Sequence, residues 1–279
     1  VEVLEHEVWR ARERAHAARV EAWTGPYLRR RERGEKHPVE DFLFTYYSHG
    51  PSKLRRWQPG AGVVLEGARA ADLGPAYRDV PDGAALDTDA VLARRGGSVA
   101  WIGRLLTATA ARTPHFGCFG LHEWAMVYRS DDIRHEAWPL RLPGADIAAL
   151  LDERGVRCSH FDAFRFFTPA ARPLNALQPT RETQPELEQP GCLHATMDLY
   201  KWAYKLSPLV SSDVVADCFA LARDVRAVDM RASPYDLAAL GYPPIRIETP
   251  QGRAEYAALQ RGFAGRAVPL RRVLADACA

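Results

Sequence analysis

Four ionisable side chains share one stripe of an otherwise apolar segment. In CLHATMDLYKWAYKL, residues 192–206, His194, Asp198, Lys201 and Lys205 recur at i, i+4, i+7 and i+11, the spacing that sends side chains off one helical face. The other faces carry Leu, Met, Tyr and Trp, so the helix is expected to be buried, where ionisable groups need partners or a task. Only four of the 37 basic residues are lysines, and two stand here. The next segment, SSDVVADCFALARDVRAVDM, predicts a second helix with Ser211 or Ser212 at its N-cap and carboxylates at Asp213, Asp217 and Asp224. Folded back as an antiparallel hairpin, opposed positions sum to about 418. That register sets Lys205 against Asp213, Lys201 against Asp217 and His194 against Asp224, which serves equally as a salt-bridge ladder or as a polar reaction site.

Two further pairs could act as acid, base or ligand. His122 and Glu123 lie beside Trp124 after the glycine-punctuated PHFGCFG, and His160 and Asp162 share the alternating face of VRCSHFDAFRFFT with Phe164. His122, His160, His194, Asp198 and Asp224 contain enough imidazole and carboxylate to ligate a divalent metal, although no HExxH or HxH spacing occurs. The loop TRETQPELEQPG supplies Arg181, Glu182, Gln184 and Gln189, whose directional hydrogen-bonding groups suit the lining of a pocket.

These side chains need a scaffold, and the sequence predicts an α+β fold. We expect a predominantly helical single globular domain with a small β-sheet and a buried antiparallel helical hairpin. The domain covers residues 1–279, with an N-terminal helical segment at 1–50 and a core at 51–279 that contains the hairpin at 192–231. Leu4, Val8, Ala11, Ala15, Ala18 and Ala22 form one helical stripe over 2–23, which Thr24-Gly25-Pro26 interrupts. GVVLEG predicts a short strand, as do residues 139–142, 156–168 and IRIET. Helices are expected at 87–95 and 99–112, divided by Gly96-Gly97, and again at 120–128.

Composition narrows the function classes less than the motifs do. With 279 residues, 47% of them hydrophobic, the chain can bury a sizeable core, and its net charge is only +2. Residues 10–36 nevertheless hold nine basic side chains against four acidic ones, a pattern that fits a solvated helix face or a phosphate-binding one. Five cysteines without CxxC spacing suggest reduced thiols in a cytoplasmic protein, without structural zinc. No apolar run is long enough for a membrane span.

The segments HPVEDFLFTYYS, LRRWQPG, FGCFGLHEWAMVYR, CSHFDAFRFFTPAARPLN and QPGCLHATMDLYKWAYKLSPLVSSDVVADCFALARDVRAVDMRASPYDL resemble a mostly actinobacterial family commonly labelled 3-methyladenine DNA glycosylase. The resemblance spans most of the chain. It implies DNA repair by hydrolysis of the N-glycosidic bond of a flipped alkylated purine, with DNA as partner and no cofactor. Trp124, Phe161, Phe164 and Trp202 would then stack the base, and Arg55 and Arg56 would hold the phosphates. Glu123 or Asp162 would supply the carboxylate, with His160, His194, Asp198 and Lys201 as further catalytic candidates. His122, Arg181, Glu182 and Gln184 would contact substrate. A second expectation, from the residues alone, is a metal-dependent enzyme acting on a small molecule. A third is a non-catalytic nucleic-acid-binding module.

Overall fold

The computed structural model describes residues 1–131, 133 and 137–279. It is an α+β protein, mostly helical, with one four-stranded sheet among the described residues. The chain forms two compact units: residues 1–106, 199–220 and 270–279 make the first, and residues 107–198 and 221–269 the second. No helix among the described residues is long and apolar enough to cross a membrane.

The first unit opens with β1 (Glu2–Leu4), α1 (His6–Glu32), α2 (Phe42–Tyr46), α3 (Pro51–Arg55), β2 (Val63–Glu66), α4 (Ala70–Leu73), β3 (Tyr77–Val80), β4 (Gly83–Leu86) and the start of α5 (Thr88–Ala110). The sheet order is β1-β2-β4-β3, with β1 parallel to β2 and the other pairs antiparallel. Leu4, Trp9, Trp57 and Leu65 pack together on it, and the Trp9 indole donates to the Glu66 carbonyl at 3.0 Å.

The first helix differs from expectation in extent and in the face it buries. Residues 2–4 form a strand, and α1 runs through Thr24-Gly25-Pro26 without a break. Pro26 removes the donor that would reach the carbonyl of Ala22, but Ala22 is exposed and water can serve it. Trp9, His16 and Val20 are the buried stripe, whereas Val8 is 40% exposed. The larger indole and the 2.9 Å contact of His16 with the Leu54 carbonyl win over the small alanines. Four of the nine basic groups in 10–36 meet carboxylates, Arg10 on Glu13, Arg19 on Asp217, Arg30 on Asp41 and Arg33 on Glu35. That matching suits a solvated helix face.

Gly96-Gly97 does not divide α5, since two glycines cost only about 1 kcal/mol each against alanine. The second unit contains α6 (Leu121–Ala125), α7 (Gly144–Arg154), α8 (Phe161–Phe164), α9 (Gln184–Leu187) and α10 (Leu193–Met197). Residues 139–142 are not a strand and form a single bridge, Leu140 to Tyr235. Residues 156–168 hold one bridge, Val156 to Asn175, and then turn into α8. Val156, Cys158 and His160 are buried in the expected alternation, but from His160 onward the buried positions are Ala163, Phe164 and Phe167, at i+3, i+4 and i+7, so the burial period turns helical. IRIET also forms no ladder: Ile245 and Ile247 are buried, but the Ile245 amide donates to the Arg231 carbonyl.

The segment 192–206 is two helices, α10 and then α11 (Leu199–Leu206), which meet at Asp198. After residues 207–211 comes α12 (Ser212–Ala232), and α13 (Pro250–Asp276) closes the chain. Within the first unit, Tyr200 of α11 packs edge-on against Phe219 of α12 at 5.0 Å, close to the expected antiparallel register. Phe219 also meets Trp23 at 5.0 Å and Phe44 at 5.2 Å, so this aromatic cluster anchors the hairpin there.

Gly83 fixes the β3–β4 hairpin. Its φ is +151°, and a Cβ there would collide with the Leu65 carbonyl oxygen across the sheet. Gly83→Ala should therefore cost about 2–4 kcal/mol in urea unfolding. A loss under about 1 kcal/mol would show that β2 and β4 do not pair in this way.

Candidate functional site

The second unit gathers the three histidines singled out in the sequence. His122 enters from α6, His160 precedes α8 and His194 lies in α10; the His122 and His194 rings are 4.5 Å apart edge-on, and His160 stacks on His194 at 5.4 Å. The turn before α6 places Phe119 at φ +50° and Gly120 at φ +73°. Such a left-handed pair is costly for phenylalanine, and it aims His122 inward.

Carboxylates face each imidazole. Nε2 of His122 donates to Oδ1 of Asp229 at 2.9 Å, and Cys118 Sγ lies 3.4 Å from its Nδ1. His160 sits between two carboxylates, with Nδ1 3.4 Å from Glu188 and Nε2 3.4 Å from Asp198. Those contacts suffice for charge attraction, yet neither ring nitrogen makes an aligned hydrogen bond. Gln184 of α9 donates to Glu188 at 2.8 Å, and Arg226 bridges Glu123 at 3.0 Å and Asp229 at 3.3 Å. Donor atoms of His122, Glu123, His194 and Asp229 lie within 4.8 Å of one another, as do those of His160, Asp162 and Asp198.

Burial and charge split the titrations. Burial would push His122 down, but the Asp229 charge overcomes it and holds His122 well above the usual range. Burial opposes protonation of His160 too, and Asp198 with Glu188 prevails, raising it to about 9. His194 is held well below the usual value by burial and by the nearby His122 charge, so it is neutral with a lone pair to offer. Burial raises Glu123 despite Arg226, whereas His122 outweighs burial at Asp229 and holds it low.

A narrow pocket reaches these groups. Its interior of about 10 Å³ holds about one water, and it is lined by His122, His194, Cys118, Cys192, Gln189 and Gln260 among others. Gln260 is 1% exposed; its amide nitrogen donates to the Gly191 carbonyl at 2.6 Å, while its Oε1 has no hydrogen-bond partner.

Several expected roles change. Asp224 does not face His194: it pairs with Arg266 at 2.7 Å near the surface, and Asp229 takes its place. The register counted through one continuous helix slips because the chain changes helix at Asp198. Trp124 is fully buried and donates to the Ala232 carbonyl, and Phe164 and Trp202 are buried too, so none offers a face to a base. Phe161 is half-buried under the Arg181 guanidinium at 5.7 Å, and Glu182 is exposed. Asp162 carries Arg165 at 3.3 Å. Lys201, Trp202, Arg55 and Arg56 belong to the first unit, where Lys201 lies over the Trp202 ring and Arg55 pairs with Glu21.

Asp229, Glu188 and Arg226 were not singled out in the sequence. Asp229 had a signal, since Ala222, Val225 and Asp229 follow the buried period of α12. Glu188 stands in a proline-punctuated loop without periodicity.

Arg226→Leu should leave the buried Glu123 and Asp229 carboxylates without their cation and cost about 3–5 kcal/mol. Thermal and urea unfolding measure this, and an unchanged melting temperature would mean that water reaches the pair. Comparison with known protein families, characterised proteins and solved structures finds no match, so the functional reading rests on the chemistry of these side chains.

Proposed function

We propose that this chain is a metal-dependent enzyme that acts on a small polar substrate by activating water. The observation that carries this reading is the convergence of His122, His160 and His194 with Asp198 and Asp229 in a dry interior beside a water-sized pocket. An all-nitrogen-and-oxygen donor set suits zinc, iron or manganese. When bound, a divalent cation would supply Lewis acidity and a bound water of lowered pKa.

The chain's own residues would do the rest. His194 offers a neutral imidazole, and Asp229 stays ionised while Arg226 holds its second oxygen. Gln184 orients Glu188 from behind, the role usually played by outer hydrogen bonds at such centres. Gln260 presents its unpartnered carbonyl to the water-sized pocket, where it would accept a hydrogen bond from a water. Purine release from alkylated DNA, the activity implied by the family resemblance, fits less well, because three of the four aromatic side chains proposed for stacking, Trp124, Phe164 and Trp202, are packed inside their units.

Protein purified without a chelating tag should contain about one or two ions of iron, manganese or zinc per chain by elemental analysis. His194→Ala and Asp229→Asn should each weaken metal retention about tenfold or more. Melting temperature provides a second readout: stripped wild type should be stabilised by adding back the right ion. A stripped protein whose melting temperature no ion changes, or a metal-free wild type that releases methylated purine from DNA, would overturn the proposal.

A further inference from the structure

The first unit contains a larger cleft of opposite electrostatic character. It has a volume of about 570 Å³, the size of a small-molecule site. Lys53, Arg56, Arg95 and Lys205 line it, and no acidic residue does. The two arginines are held by neutral groups: Arg56 donates to the Leu73 carbonyl, and Arg95 donates to the carbonyls of Ser207, at 2.8 Å, and Lys205. Carbonyls fix a guanidinium in place without cancelling its charge. Among the described residues, no carboxylate lies within ion-pair distance of Lys53, Arg56 or Arg95. Arg10, Arg19 and Arg30 of α1, by contrast, each meet a carboxylate.

One wall is aromatic. His49 stacks on Tyr204 at 4.7 Å with an interplanar angle of 14°, and Tyr77 lines the cleft as well. Burial, and then the Lys53 charge, bring His49 down to about 4, so at neutral pH the wall is an uncharged ring surface. Cations converging in one concavity concentrate field on a compact anion. A nucleic-acid backbone, by contrast, asks for basic groups spread along a stripe.

We infer that this cleft binds a small organic phosphate, its phosphoryl oxygens among Lys53, Arg56, Arg95 and Lys205 and its ring against His49 and Tyr204. The lysines are point charges and the arginines are pre-oriented forks, a pairing that suits the oxygens of a phosphate dianion. The inference does not depend on the metal reading, because its residues and its assay are separate from those of the histidine cluster.

Titration calorimetry of the full chain tests it with phenyl phosphate, inorganic phosphate and phenol. Phenyl phosphate should bind at least about threefold more tightly than inorganic phosphate, phenol should not bind, and affinity should fall as salt rises. Lys53→Gln, at an exposed position without an ion pair, should weaken phenyl phosphate about fivefold or more. Lys53→Arg should largely restore binding, and Lys36→Gln, outside the cleft, should change nothing. Absence of phenyl phosphate binding, equal affinity in wild type and Lys53→Gln, or tighter binding of a DNA duplex that Lys53→Gln abolishes would overturn it. Tighter binding of inorganic phosphate than of phenyl phosphate would remove the organic ring from the proposal and overturn it in this form.

Discussion

The second unit is built around buried charge. Moving a carboxylate or an imidazolium out of water costs several kcal/mol per ion even after relaxation, and here His122, His160, Glu188, Asp198 and Asp229 are all nearly inaccessible. Such a cluster persists only if each charge meets its opposite. His122 meets Asp229, His160 meets two carboxylates, and Arg226 serves Glu123 and Asp229 together. The local structure follows from this requirement: α12 carries Asp229 and Arg226 three residues apart, and the strained Phe119 turn delivers His122.

Those charges are balanced in a way that a divalent ion could replace. His122 and His160 are protonated because carboxylates face them, while His194 between them is neutral. Losing one proton from each of His122 and His160 while a dication enters would leave the local charge unchanged. The poor alignment of His160 with its carboxylates has the same sense. A purely structural salt bridge gains most from short, linear hydrogen bonds, and His160 has none despite being 1% exposed.

Much of this was legible in the sequence, and the misses have physical causes. The i, i+4 spacing of His194 and Asp198 survives the change of helix, since the Asp198 amide still donates to the His194 carbonyl at 2.8 Å. β2 was readable because VVLE is both apolar and β-branched, whereas YRDV has charges at its centre and GAAL has no β-branched residue, and their pairing depends on the Gly83 turn. In VRCSHFDAFRFFT, aromatic residues satisfy period two and period 3.6 alike, and only tertiary burial decides between them. Glu188 was invisible because a loop carboxylate acquires meaning only when the chain folds it onto His160. Arg226 could not be told from the other arginines until its two acidic partners were in place.

The two units show why a charge cluster has to be read together with its solvent. In the second, ionisable groups are dry and mutually neutralised, so under the proposed function a metal would compete with protons for the same lone pairs. In the first, Lys53 and Arg56 stand in an open cleft, and water screens their repulsion at modest cost. Excess positive charge of this kind needs no internal partner to be tolerated, so it remains available to a visiting anion. The scarcity of lysine sharpens the contrast: two of the chain's four lysines line this cleft, while the dry cluster uses an arginine, whose guanidinium can satisfy two carboxylates at once.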